Sequence, residues 1–244
     1  MLRLLIIPLL LLLGHPTTPT DPGTETLKYE VRYLYGALSP RVANATFQLK
    51  PEVWEGKEVY WTDILIRVKP IFRLFLNAEY LVKGCFTRPG MEPLYYYTPS
   101  GGECWCRYTE GEKGVYYSRQ VGKVESPEIS VFPNDGRTRE LMSMLYFART
   151  YDFKQGVPCQ IKIILGGKLF PATLTWESTD TERYPGHSAQ VLHLVFAGQA
   201  GLMENGSGNE AFLWREAEGS HPILGLQVGL GKKGTMVCNI LEEK

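Results

Sequence analysis

The sequence lacks an excess of charge of either sign. Lys and Arg together number 26, and so do Asp and Glu. Loss of an N-terminal segment with Arg3 would leave 25 basic and 26 acidic residues, a formal net charge of −1. Proteins that hold nucleic acid or an anionic membrane by charge carry a basic excess, because Lys and Arg neutralise the phosphates. The composition therefore argues against a nucleic-acid partner.

Catalytic and metal-binding motifs are also scarce. The chain has four histidines, and His187, His193 and His221 lie far from the Cys104-Trp105-Cys106 segment. A zinc site needs three or four ligands, so this segment alone is insufficient. No G-x-S-x-G elbow is present. The sequence predicts no metal and no cofactor. A hydrolase would need titratable groups that converge on His187 or His193 in a pocket.

Cysteine is sparse and odd in number, so at least one thiol is unpaired. The five are Cys85, Cys104, Cys106, Cys159 and Cys238. Residues two apart on a strand share a face and do not easily bond to each other, so a disulfide would have to reach another strand. Cys85 is a candidate partner for the Cys104–Cys106 segment, and Cys159 with Cys238 is a second pairing. Disulfides or buried thiols, redox chemistry and metal binding are the alternatives.

The long hydrophobic runs of membrane proteins are missing apart from one short stretch. Leu4–Leu13 follows Arg3 and is interrupted by Pro8, which is typical of an export signal. Ten residues are too few to cross a bilayer, so we expect no transmembrane anchor. No Pro/Ser/Gly-rich linker divides the remainder. The sequence predicts a signal peptide and cleavage region over residues 1–20 and a single β-rich domain over residues 21–244.

Alternation of apolar and polar residues dominates the mature chain. It is clear in Leu27–Tyr35, Ala43–Leu49, Val59–Val68 and Phe72–Val82, and further short strands follow residue 157. Strands as long as Phe72–Val82 suit a curved sheet or barrel. With about a dozen strands and no strand–helix–strand repeat, a doubly wound α/β fold is excluded. We predict a mainly β fold, a strongly curved antiparallel meander sheet forming a half-barrel or open barrel.

One helix is predicted near residues 137–150, within the segment Arg137–Gly156. Its apolar face consists of Leu141, Met144, Leu145 and Ala148, at helical spacing. Asn134–Gly136 or Thr138 would supply the N-cap. A short helix with one apolar face must pack against something. We expect it to cover the concave side of the sheet like a stopper, with a mobile lid as the alternative.

Charged residues that interrupt the long strands are candidates for a ligand site. They either form a solvated outer face or lie inside the concave sheet. In the second case they would bind the head group of a ligand while aromatic residues cover the ligand's tail. The charges considered are Arg67, Arg73, Glu79 and Lys83. The predicted ligand-binding residues are Arg67, Arg73, Glu79, Tyr80, Tyr146 and Arg149.

Several segments resemble a bacterial exported family called domain of unknown function 3108. They are LKYEVRYLYGALSPRVANATFQL, LMSMLYFARTYDFKQG, IKIILGGKLFPATLTW, the Trp214 strand with Pro222, and a terminal Gly-rich hairpin. The resemblance covers about Thr26–Leu241. Glu140 and Ser143 match an acidic residue and a serine often found there, whereas Arg215-Glu216 replaces an acidic pair. The resemblance implies an exported β-rich domain of no known activity, similar in shape to periplasmic lipoprotein carriers.

These observations predict a protein of the periplasm or cell envelope of a Gram-negative bacterium. We expect it to bind an apolar or amphipathic ligand, such as a lipid, in the curved sheet without catalysis. A structural or protein-interaction module of the envelope is the alternative, and a hydrolase is a distant one. The sequence leaves the oligomeric state open.

Overall fold

The structure, a computed structural model, describes residues 21–241 except for several short gaps. The gaps are residue 89 and residues 100–103, 112–113, 123–127, 134, 166–167, 198–209 and 231–233. For Cys104 and a few other strand residues, only the backbone is described. The predicted signal peptide lies outside the described residues.

Fifteen strands and one helix make up the described chain, because the alternating segments leave one face of each strand apolar. Before the helix come β1 Glu25–Leu34, β2 Arg41–Trp54, β3 Lys57–Val68, β4 Glu79–Thr87, β5 Pro93–Thr98, β6 Cys104–Gly111, β7 Gly114–Val121, β8 Glu128–Phe132 and β9 Thr138–Arg139. The helix α1 spans Leu141–Thr150, and β10 Cys159–Leu165, β11 Lys168–Asp180, β12 Ala189–Phe196, β13 Glu210–Glu216, β14 Ile223–Gly229 and β15 Thr235–Ile240 follow.

All fifteen strands form one sheet, which confirms the predicted antiparallel meander. The order is β8-β7-β6-β5-β4-β3-β2-β1-β15-β14-β13-β12-β11-β10-β9. The first and last strands pair in the middle of this order, with Val31 opposite Cys238. Every pair is antiparallel except β9 with β10, where Thr138 lies opposite Lys162 in a parallel register. The two edge strands, β8 and β9, are therefore neighbours in the sequence.

The two ends of the curved sheet overlap without pairing. The barrel is therefore closed by side-chain packing rather than by backbone hydrogen bonds. Ile163 belongs to the main core, which includes the helix, whereas Ile164 on the opposite face of β10 packs with Phe132 and Cys106. Cys106 lies opposite Tyr96, which in turn lies opposite Gly84 on the helix-facing side of β4. The inner face of β5–β8 thus covers the outer face of β10. This arrangement is the open barrel that the strand pattern predicts.

The helix lies inside the barrel, as expected of a stopper. Glu140 is its N-cap, and the Glu140 carboxylate accepts a hydrogen bond from the Ser143 backbone N–H at 2.6 Å while Ser143 Oγ accepts one from the Glu140 N–H at 3.0 Å. Because sheet surrounds it, the helix is buried on nearly every side. The buried residues are Met142, Ser143, Met144, Leu145, Tyr146, Ala148 and Arg149, and Leu141 is half-buried.

The helix begins later than the cap signals suggest. Thr138 and Arg139 form β9 and pair with β10, so Thr138 cannot cap the helix. Glu140 takes that role, and the helix is ten residues long, less than three turns. Asn134 lies outside the described residues.

The predicted long strand Phe72–Val82 is wrong in its first half. Pro70–Phe72 is a 3₁₀ turn, the N–H groups of Phe75 and Leu76 both donate to the Phe72 carbonyl, and β4 starts only at Glu79. Phe75 lies on the mixed face of this predicted strand, beside Arg73 and Asn77, and is as apolar as its neighbours. The alternation in this segment did not arise from burial of one face, so it predicted a strand wrongly.

A Gly84→Val substitution tests the packing between helix and sheet. A Cβ at position 84 would lie 3.1 Å from Thr62 Cγ2 and 3.3 Å from Met142 Cβ. Overpacking of this kind lowers stability, so we expect the free energy of unfolding to fall by about 2 kcal/mol in urea denaturation. Gly229→Val is the matched control, because nothing lies within 4 Å of a Cβ there. Equal stability of the two variants would contradict the packed helix.

Candidate functional site

The space between the helix and the middle of the sheet is almost filled. A cavity of about 30 Å³ remains, lined by residues that include Leu27, Tyr29, Phe47, Leu145 and Tyr146. Such a volume holds about one or two water molecules, whereas ligand pockets measure roughly 300–1,000 Å³. In this conformation the helix therefore occupies the part of the concave face where a lipid chain was expected.

Arg149 fixes the helix to the surrounding strands. Its side chain is 2% exposed and forms a two-pronged ion pair with Glu25 at the start of β1, with one N–O distance of 2.9 Å. The same guanidinium donates to the backbone carbonyls of His221 at 3.2 Å and Ser220 at 3.1 Å. Every nitrogen of Arg149 is thus engaged within the protein, which makes this residue a structural lock.

Arg215 on β13 closes the carboxyl end of the helix. It donates to the carbonyls of Ala148 at 3.0 Å and Tyr151 at 2.8 Å, and also contacts Gln190. A cation at this position favours the negative end of the helix dipole. Burial lowers the pKa of Arg215 to about 10, so it remains charged at neutral pH.

A larger cleft of about 350 Å³ opens between α1 and the inner face of β9 and β10. Arg139 lies opposite Ile163 in the parallel register, so it shares the inner face of the sheet with that residue. Arg137, two residues earlier, is on the same side. The cleft is lined by Arg137, Arg139, Phe147, Tyr151, Cys159 and Ile161, among others. It is the part of the concave face that the helix leaves uncovered.

Arg139 is the unusual member of this cleft. It is 4% exposed, and its guanidinium lies 4.6 Å from the centre of the Phe147 ring. Nη1 donates to the Thr138 carbonyl at 2.8 Å, but the buried Nε has no hydrogen-bond partner. Within the described part of the chain, no carboxylate lies within ion-pair distance of it. Burial lowers the pKa of Arg139, because a buried charge without a counter-ion is costly.

The remaining cleft walls are mostly uncharged. Phe147 and Tyr151 place their rings 5.0 Å apart. The Tyr151 hydroxyl lies near the Cys159 thiol, and burial raises the pKa of Cys159, which keeps that thiol neutral. The cleft therefore combines two guanidinium groups with aromatic and aliphatic surface.

The six predicted ligand residues do not come together. Arg67 and Glu79 form an exposed ion pair at 3.0 Å on the outer face, and Lys83 lies 3.6 Å from Asp63 there. In the β3–β4 connection, Arg73 Nε donates to the Val68 carbonyl, and Tyr80 Oη accepts from the Asn77 N–H. Tyr146 and Arg149 lie on the buried helix.

Sequence reasoning missed Arg137 and Arg139. Their spacing of two residues places them on one face only if the segment is extended, whereas the sequence pattern predicts the start of the helix there. The spacing itself was the available signal.

Of the four cysteines whose side chains are described, Cys85, Cys159 and Cys238 are free thiols, and Cys106 is buried on β6. Cys159 and Cys238 lie on β10 and β15, with four strands between them. Strands are about 4.8 Å apart, so these two are beyond the reach of a disulfide. The side chain of Cys104 lies outside the described part.

His193 and His187 form contacts with carboxylates away from the cleft. His193 lies between Glu177 at 2.6 Å and Glu210 at 3.2 Å and stacks on Phe212. His187 contacts Glu216. Among the residues that the structure describes, no group of three or more His, Cys, Asp or Glu side chains is arranged to hold a metal ion.

No protein-family model matches the chain, and no curated protein matches it. The chain is similar to the crystal structure of a β-barrel-like protein of the domain of unknown function DUF1849 from Brucella abortus, with a TM-score of 0.55 and 6% identity. The match covers 90% of this chain and 96% of the other. That domain is a different one from the expected domain of unknown function 3108, which no family-model match supports.

Across the described ranges, no helix is long and apolar enough to cross a membrane. The comparison with the solved structure extends over nearly the whole of both chains, so it concerns the complete rolled sheet rather than a fragment of it. At 6% identity it establishes the fold alone. The chain therefore has a β-barrel-like fold.

Proposed function

We propose that this protein binds a small amphipathic organic anion, without catalysis, in the cleft between α1 and β9–β10. The observation that carries the proposal is Arg139, a buried guanidinium in the wall of a cleft of about 350 Å³, whose Nε has no hydrogen-bond partner. Glu92 and Asp135 act on Arg139 only from beyond ion-pair distance, so an anionic head group at this position would supply a direct counter-ion.

The chemistry of the cleft defines the ligand class. Arginine recognises carboxylates and phosphates through charge-assisted hydrogen bonds, which are stronger where water is excluded. The more exposed Arg137 adds positive charge at the cleft wall. Phe147, Tyr151 and Ile161 offer apolar surface to a short hydrocarbon or aromatic part. A carboxylate and a phosphate share this chemistry, so both belong to the test.

Titration calorimetry with decanoate, decyl phosphate and decanol tests the proposal. We expect the wild-type protein to bind at least one of the two anions and not to bind decanol. Arg139→Gln should weaken binding by at least about tenfold, because it removes a charge-assisted hydrogen bond of roughly 1.5–3 kcal/mol. The anion that binds more tightly identifies the head group.

Arg32→Gln is the matched control, because Arg32 pairs with Glu30 on the outer face. It should bind like the wild type. Arg139→Lys keeps the charge without the planar fork and should bind with intermediate affinity. Equal binding by Arg139→Gln and the wild type, or no binding of either anion, would overturn the proposal.

We also infer that the protein acts after export to the periplasm or envelope. The support is the apolar run Leu4–Leu13 behind Arg3 and the resemblance to the exported family 3108. Intact mass measurement of protein from the periplasmic fraction should show a chain without about the first twenty residues, as expected of a cleaved signal peptide. A full-length chain in the cytoplasmic fraction would contradict export.

The small volume beneath the helix favours a second candidate function. With about 30 Å³ left there, the barrel can equally serve as a rigid interaction module of the envelope. That function predicts that the wild-type protein and Arg139→Gln alike bind neither anion.

A further inference from the structure

The connection between β3 and β4 exposes an unusual amount of apolar side chain. Ile71 is 72% exposed, Leu74 and Phe75 are each 84% exposed, and Leu76 is 43% exposed. Single exposed apolar residues are ordinary, but four within six positions form a contiguous patch. Neither the core nor the cleft explains them.

This connection is held in place. Phe72 packs half-buried against the cluster that contains Val68. Arg73 Nε donates to the Val68 carbonyl at 2.9 Å, and the Val68 N–H donates to the Ala78 carbonyl at 2.9 Å. With both ends tied to the sheet and Phe72 packed inward, the apolar side chains of Leu74 and Phe75 point into solvent.

A second apolar tip lies at the same end of the barrel. The turn between β1 and β2 exposes Tyr35 by 58% and Leu38 by 67%. The two connections are neighbours, because the Lys69 N–H donates to the Val42 carbonyl at 2.9 Å. We call the combined surface the apolar rim, which consists of Tyr35, Leu38, Ile71, Leu74, Phe75 and Leu76.

Basic residues flank the apolar rim. The basic residues are Arg67, Lys69 and Arg73. The one acidic residue in the segment 67–79 is Glu79, which is already paired with Arg67. Lys69 and Arg73 have no carboxylate within ion-pair distance among the described residues. The chain is neutral overall, so this positive charge is a local feature of one end.

We propose that the apolar rim docks onto the surface of an anionic lipid bilayer. The rim protrudes, so its side chains can enter the boundary between head groups and acyl chains, where interfacial segments bury apolar groups. Each Lys or Arg near an anionic surface adds about 1 kcal/mol of attraction. Charge alone would not hold a neutral protein there, and the apolar side chains supply the larger part.

Flotation with lipid vesicles tests this docking. We expect the wild-type protein to float with vesicles of phosphatidylcholine and phosphatidylglycerol, and less with phosphatidylcholine alone. A Leu74→Ser/Phe75→Ser variant should lose at least about tenfold in partitioning, because it removes two apolar side chains from the contact. Both positions are exposed, so folding should be unaffected, as circular dichroism would verify.

Val53→Ser is the matched control, since Val53 is 74% exposed at the opposite end of β2. It should float like the wild type. The chain already contains five tryptophans, so quenching by brominated acyl chains is compared with the wild type, and it should increase in a Phe75→Trp variant but not in Val53→Trp. Docking is overturned if the wild type does not float, or if the double serine variant floats equally well. A dimer in light scattering that the serine variant abolishes, without flotation, would assign the rim to a second copy of the chain. The result is independent of anion binding in the cleft.

Discussion

An Arg149→Met variant is expected to lose about 3–5 kcal/mol of its free energy of unfolding, the usual cost of removing one partner of a buried ion pair. Glu25 would keep a charge in a position where its side chain is only 14% exposed. The carbonyls of His221 and Ser220 would lose their donor. Since these contacts connect the helix to β1 and to the turn between β13 and β14, the stopper would lose its main polar attachment.

Urea denaturation followed by circular dichroism measures this effect. A Glu25→Gln/Arg149→Met double variant should recover part of the loss, because no unpaired carboxylate remains. Arg67→Met provides the control, as Arg67 is 66% exposed in its pair with Glu79 and such surface pairs contribute about 1 kcal/mol or less. If Arg149→Met were no more destabilising than Arg67→Met, the helix would not depend on this lock.

The local pattern of the sequence predicts most of the strands, the single helix and its place inside the sheet. Alternation reports burial on one side of a strand, and the apolar face of Met144, Leu145 and Ala148 reports a helix that must be covered. Both signals are local, so they can be interpreted without knowing which residues each segment contacts. The meander followed because each strand pairs with the next one in the chain, except β8 with β9.

What the sequence did not predict depends on contacts between distant residues. The overlap of β5–β8 with β10 places Phe132 against Ile164, and no local pattern encodes that closure. Parallel pairing with β10 makes Thr138–Arg139 a strand although it lies beside a helix signal. For the same reason Arg139, the residue that defines the cleft, was not among the predicted ligand residues, whereas Arg149 was predicted and is internally paired.

A Glu140→Gln variant is expected to be more stable than the wild type by about 3 kcal/mol at about pH 8, and to match it near pH 4.5. Glu140 is 3% exposed, and one of its carboxylate oxygens has no hydrogen-bond partner. Burial raises the pKa of this carboxyl from 4.5 to about 7. Glutamine keeps an oxygen for the Ser143 N–H and cannot ionise. Urea denaturation of both proteins across this pH range measures the difference.

The sign follows from proton binding. Between the ordinary pKa of 4.5 and the folded pKa of about 7, folded Glu140 binds more protons than the unfolded chain, so stability falls as pH rises. His221 acts in the opposite direction, because burial lowers its pKa and the unfolded chain binds more protons below about pH 6.5. The wild-type profile therefore mixes two trends, and the difference between wild type and Glu140→Gln isolates the glutamate. The control is Glu30→Gln, since the hydrogen bond from Arg32 lowers the pKa of Glu30, so its titration lies below this window. A Glu140→Gln difference that stays constant from about pH 5 to pH 8 would mean that Glu140 ionises normally inside the folded barrel.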